Sequence, residues 1–104
     1  MSQSRLEALK AFLEQDPDDS FTRYAIALEY VALNQLDDAI AMLEELRKRD
    51  ANYLATYQQL GHLYAKTGRK EDAKRIYKLG IEVAQKSNEM HTASKLQGAI
   101  EELE

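Results

Sequence analysis

Tyr57-Gln58-Gln59-Leu60-Gly61-His62-Leu63-Tyr64, with Gly68 and Ala73 beyond it, is the stretch on which the fold turns. Tyr57, Leu60, Gly61 and Tyr64 are spaced 3, 1 and 3 apart, one stripe of a 3.6-residue helix. Gly68 closes that helix, because a left-handed C-terminal cap costs glycine little. A further helix starts near Lys70, with Ala73, Ile76, Tyr77, Gly80 and Ile81 along one face.

Working outward, the chain repeats itself at an offset of 34. Ser20–Tyr53 lies over Leu54–Ser87. Thr22 meets Thr56, Ile26-Ala27 meets Leu60-Gly61, Tyr30 meets Tyr64, Asn34 meets Gly68, and Asp38-Ala39 meets Asp72-Ala73. Each unit reads as two helices. In the first unit, Tyr24–Leu33 is closed by Asn34, and a second helix from near Asp37 carries Ala39, Ile40, Leu43 and Leu46. Ala27, Gly61, Ala39 and Ala73 fall where two antiparallel helices cross closely, and a large side chain there forces them apart. Tyr30 and Tyr64 fill the wedge between helices.

This pattern resembles the tetratricopeptide repeat, with its 34-residue period and its Leu-Gly-x-x-Tyr and later Ala signature. Tyr57-x-x-Leu60-Gly61-x-x-Tyr64, Gly68 and Ala73 match well; Ile26-Ala27-x-x-Tyr30, Asn34 and Ala39 match more loosely. Arg23 stands where the family has a large aromatic or apolar residue. Gly80 replaces the usual alanine and is expected to weaken its helix by roughly 1 kcal/mol. The inter-unit proline is Ala51 after the first unit and Gln85 after the second.

The flanks follow the same phase. Residues 5–19 align with the second helix of a preceding unit, so that Leu6, Leu9 and Phe12 sit under Ile40, Leu43 and Leu46. Asp16-Pro17-Asp18-Asp19 is the inter-unit turn: proline stops the helix, and Asp18, Asp19 or Ser20 caps the next. At the other end, Ser87-Asn88 caps a last helix with Ala93, Leu96, Ala99, Ile100 and Leu103, whose polar residues suit a solvating cap. The expectation is an all-α chain, an antiparallel helix-pair right-handed solenoid of about six helices. It forms one domain over 1–104, divided into a leading half-repeat at 5–19, repeats at 20–53 and 54–87, and a capping helix at 88–104. An unrelated helical bundle is the alternative.

Composition agrees. With 104 residues, 44% hydrophobic and 31% charged, the chain has ordinary globular values, and one proline and four glycines favour helices. There is no cysteine, so disulfides and thiolate metal sites are excluded. The start, Met1-Ser2-Gln3-Ser4-Arg5-Leu6, has no signal-like apolar core, and a cytoplasmic location is expected. Residues 1–53 hold 6 Lys/Arg against 11 Asp/Glu, and residues 54–104 hold 8 against 7. The acidic half argues against nucleic acid as the partner. Lys66, Arg69, Lys70, Lys74, Arg75 and Lys78 form a charge run read as a solvated face, with an anion-facing patch as the other option. No phosphate loop, Gly-x-Ser-x-Gly elbow or His-Glu-x-x-His occurs, and His62 and His91 are isolated. No catalytic residue, metal or cofactor is expected.

The resemblance implies a concave face lined by positions 2, 5, 9, 12 and 13 of each unit. These are Phe21, Tyr24, Leu28, Val31 and Ala32, then Ala55, Gln58, His62, Ala65 and Lys66; the capping helix adds Ser94 and Gly98 if it keeps phase. The stripe of Phe21, Tyr24, Leu28 and Val31 is too apolar for a solvated face. Either the terminal helices cover it, or it receives a partner peptide, or it joins copies of the chain. A carboxylate clamp of the kind some family members use is rejected: its asparagine phase holds Ala25 and Gln59, and Lys66 alone fits. The expected function is therefore non-enzymatic, a protein-binding adaptor or scaffold. A self-associating homo-oligomeric subunit, or a regulatory subunit of a larger complex, is the alternative; neither membrane nor nucleic acid is an expected partner.

Overall fold

A computed structural model describes residues Ser2–Glu104, with side-chain surroundings from Ser4 onward; Met1, in the opening segment read above, lies outside the described residues. Six α-helices follow in order: α1 (Ser2–Gln15), α2 (Ser20–Ala32), α3 (Leu36–Arg49), α4 (Ala55–Lys66), α5 (Lys70–Lys86) and α6 (Met90–Leu103). The described residues contain no strand. The chain forms two compact units, Met1–Asp50 with α1–α3 and Ala51–Glu104 with α4–α6. Within each, consecutive helices pack on one another.

Three of the connections are three residues long and share one backbone device. After α2, the Asn34 N–H donates to Val31 O at 2.9 Å and the Gln35 N–H to Tyr30 O at 2.8 Å. After α4, Gly68 donates to Ala65 and Arg69 to Tyr64, at 3.1 and 2.7 Å. After α5, Asn88 donates to Gln85 and Glu89 to Ala84, at 3.1 and 2.7 Å. This paired pattern is the Schellman motif, which satisfies the last carbonyls of a helix and needs one left-handed residue. Asn34 (φ 60), Gly68 (φ 82) and Asn88 (φ 59) supply it. Asn34 and Gly68 close their helices as read from the sequence. Ser87 and Asn88 do not cap α6 as expected: they end α5, with Ser87 Oγ donating to Val83 O at 3.0 Å, and Glu89 takes the N-cap position of α6. Asparagine tolerates the left-handed region, and the motif claims it before α6 begins.

The small residues sit at close crossings. Ala27, Ala39 and Ala73 are fully buried, and Gly61 is buried. A Cβ on Gly61 would collide with the Tyr77 ring. Gly80 is required by packing rather than merely tolerated, since a Cβ there would stand 2.6 Å from Tyr57 Cβ and 2.9 Å from Leu96 Cδ1. Whatever α5 loses in helix propensity is spent on admitting two neighbours at once. The corresponding residues of the first unit, Ala27 with Leu43 and Arg23 with Leu46, divide the volume differently, and all four are buried.

Position 4 of each unit reaches back to the turn before it. Arg23 donates from Nε and Nη2 to Pro17 O at 3.2 and 2.9 Å; Tyr57, 34 residues on, donates its hydroxyl to Ala51 O at 2.6 Å. Arg23 therefore replaces the family's aromatic residue by packing its methylenes and spending its charge on a carbonyl. Burial, and then nearby Arg49, pull its pKa below the usual guanidinium value against the attraction of Glu45 and Asp18. At the start of α2, Asp19 takes the N-cap position, but its carboxylate accepts from Thr22 Oγ1 at 2.6 Å and not from a backbone N–H. Ser20 donates to Asp50 at 2.6 Å. Acidic Asp37-Asp38 and Glu71-Asp72 lie in the first turns of α3 and α5, and Arg47-Lys48-Arg49 in the last turn of α3, where each sign complements the helix dipole.

On α1 the inward stripe is Leu6, Leu9 and Leu13, and Phe12 departs from the alignment. Leu6 is buried and Leu9 and Leu13 are half-buried, whereas Phe12 is 56% exposed. Spacing of 3 and then 4 keeps Leu13 closer to the stripe than Phe12, which is rotated by about 100° from it.

Candidate functional site

The residues singled out from the sequence divide between the two units. On α2, Phe21 is 68% and Leu28 39% exposed, Ala32 is exposed, and Tyr24 and Val31 are half-buried. The apolar stripe is thus not a single surface: Phe21, Leu28 and Ala32 form an open ridge, and Tyr24 and Val31 its shoulder. Within the first unit, α1 leaves the ridge exposed. On α4, Ala55, Gln58, His62 and Lys66 are all exposed and Ala65 is half-buried. On α6, Ser94 is exposed and Gly98 half-buried.

Two residues beside the ridge, Glu29 and Arg5, were not singled out from the sequence. Glu29 on α2 is buried; its Oε1 accepts from Arg5 Nη1 of α1 at 3.1 Å, and its Oε2 is fully enclosed without a hydrogen-bond partner. The Arg5 side chain is 70% exposed. Glu29 occupies the repeat position where the second unit has buried Leu63. Lys10 of α1 lies 5.5 Å above the Tyr30 ring, on the other side of α2.

Half of the charge run on the second unit is paired with carboxylates. Arg69 stacks on the Tyr64 ring at 4.5 Å and pairs with Asp72, Arg75 also pairs with Asp72, and Lys74 lies between Glu71 and Glu104. A hollow of about 340 Å³ along α5 is lined by Glu71, Lys74, Arg75, Lys78, Leu79 and Glu82, with both signs of charge. Among the described residues, no cluster of three or more His, Asp or Glu is arranged to hold a metal ion, and no helix is long and apolar enough to cross a membrane.

Comparison with known proteins agrees with the geometry. A family model described as tetratricopeptide repeat matches residues 30–100. The solution structure of a tetratricopeptide repeat domain protein from Salinibacter ruber is 42% identical; the match covers 86% of this chain and 90% of that one, with a TM-score of 0.82. A Bordetella parapertussis protein is 24% identical over 94% of this chain and 85% of its own, at 0.80. A type III secretion translocator chaperone of Yersinia enterocolitica, 16% identical over 98% and 71%, superposes at 0.86, a likeness of fold alone. The search of curated proteins returns no match. The chain belongs to the tetratricopeptide repeat family, whose fold serves protein–protein interaction.

Proposed function

We propose that this chain is a non-enzymatic adaptor of the cytoplasm that receives a protein or peptide partner on its first-helix faces. The observation that carries this reading is the Phe21–Leu28 ridge: two large apolar side chains, 68% and 39% exposed, two turns apart on one helix. An apolar ridge left in water on an otherwise well-buried helix is the usual mark of a docking surface. The equivalent face of α4 is polar, and Lys66 there suits a partner carboxylate.

Purification of the tagged chain from its native cell, with co-purifying protein identified by mass, supplies the partner. The F21A/L28A variant should then lose at least about tenfold of that capture while keeping its helical circular dichroism. Undiminished capture by the folded variant overturns the assignment. The same ridge favours one second reading, self-association. Light scattering over a concentration series separates the two, because a strict monomer removes it.

A further inference from the structure

We propose that the segment seated on the first unit is a short cationic amphipathic helix, its apolar side on Phe12, Phe21 and Leu28 and a lysine or arginine at Glu29. The proposal rests on the protein-binding reading and names the chemistry of the partner.

Helical phase places these residues on one face. α1 meets α2 along two seams, marked by Arg5–Glu29 and by Lys10–Tyr30. At about 100° per residue, Phe21 and Leu28 lie about 80–100° round α2 from Glu29, on the side away from Tyr30. The Arg5–Glu29 seam therefore borders the ridge. Phe12 is seven residues from Arg5, within about 20° of it on α1, and so stands on that same edge. The four-residue connection from Asp16 to Asp19 folds the end of α1 back to the start of α2. That brings Phe12 to the Phe21 end of the face.

Size argues for a short segment. With about 150–250 Å² for each large side chain, the exposed parts of Phe12, Phe21 and Leu28 amount to roughly 300 Å². A stable interface between two copies needs about 800 Å² on each partner. One helix of a few turns, with apolar anchors a heptad apart, fits a ridge whose own residues are seven apart.

Charge argues for a cationic one. Residues 1–50 hold 6 Lys/Arg against 11 Asp/Glu. Most of the six are engaged: Arg5 on Glu29, Lys10 over Tyr30, Arg23 on Pro17, Arg47 on Glu44, and Arg49 on Glu45 and Asp18. Glu29 provides the local term. Its side chain is nine-tenths buried, with Oε2 unsatisfied, beneath an arginine that is mostly in water and bonds it through Nη1 at 3.1 Å. Folding does not need a carboxylate at this repeat position, since Leu63 fills it in the second unit with 1% exposure. An incoming cation displaces Arg5 into solvent at small cost and completes the carboxylate.

The test uses the full chain and two fluorescent peptides of about 16 residues, both with leucines at helical spacing, one flanked by lysines and the other by glutamates. Anisotropy at physiological ionic strength should show the lysine peptide binding at least about tenfold tighter than the glutamate peptide. F21A/L28A should abolish this binding. E29Q and E29L, the latter copying the second unit, should weaken it severalfold, whereas D38N, which removes one charge from the start of α3, should not. Equal binding of the two peptides, or an effect of D38N as large as that of E29Q, overturns the proposal. A native partner that needs Phe21 and Leu28 but presents an acidic segment also overturns it, while leaving the docking function intact. Capture of the native partner that ignores the ridge sinks both.

Discussion

Tyr57 donates its hydroxyl to the carbonyl of Ala51 at 2.6 Å, and Arg23, at the same place one repeat earlier, donates to the carbonyl of Pro17. Two unlike side chains thus hold the same turn to the same helix. Each spans six residues, and each brings a long apolar body with a donor at its tip. Y57F keeps the ring and should cost about 1 kcal/mol, the value of one such bond. R23A loses two bonds and the packed stem, and should cost about 2 kcal/mol or more. Chemical denaturation of the two variants checks both, and a smaller loss for R23A than for Y57F would contradict the shared role.

Thr22 and Thr56 occupy one repeat position and should respond oppositely. Thr22 donates to Asp19, whereas Thr56 is fully buried and its hydroxyl has no partner. Tyr53 stands where the carboxylate would be. T56V should raise stability by about 1 kcal/mol by removing an unmet polar group, and T22V should lower it by a similar amount. Equal shifts in melting temperature would refute the contrast.

Two helical glycines make a second opposed pair. Gly98 in α6 has open space around its missing Cβ, so G98A should gain roughly 0.5–1 kcal/mol of helix propensity. G61A brings a methyl against the Tyr77 ring and should lose about 1–3 kcal/mol from overpacking, less the same propensity gain. Thermal unfolding should rank G98A above wild type and G61A below it.

Alkali should find Tyr77. Burial, reinforced by Glu102, raises its pKa above the usual value of 10.0. The folded state therefore favours the protonated phenol. Its contribution is complete below the unfolded-state value and is lost as pH rises through the higher folded-state value. Y77F should lose less stability than wild type between pH 9 and 11.5, in denaturation curves measured across that range. Parallel losses would remove Tyr77 from the alkaline transition.

The helices and their order were legible because small residues, wedge tyrosines and terminators recur at one period. Asn34 and Gly68 announced their turns by residue type. Asn88 did not, because the same residue suits the start of one helix and the end of another, and only the hydrogen bonds of α5 decide. Phe12 misled because an offset preserves phase only where helices pack alike, and α1 presents Leu13 instead. Phe21 and Leu28 were marked out by apolarity in the wrong place. Glu29 was not, since a charge at one position of an amphipathic helix looks solvated until the neighbour that covers it is known.

The three-residue connectors carry a last implication. Each turn is made by backbone bonds and one left-handed residue, so the turn itself does not specify the side chain that follows. That place holds neutral Gln35, positive Arg69 and negative Glu89 on one invariant corner. The hydrogen bonds of the turn place no demand on the charge there. A repeat built this way separates the inheritance of its shape from the inheritance of its surface.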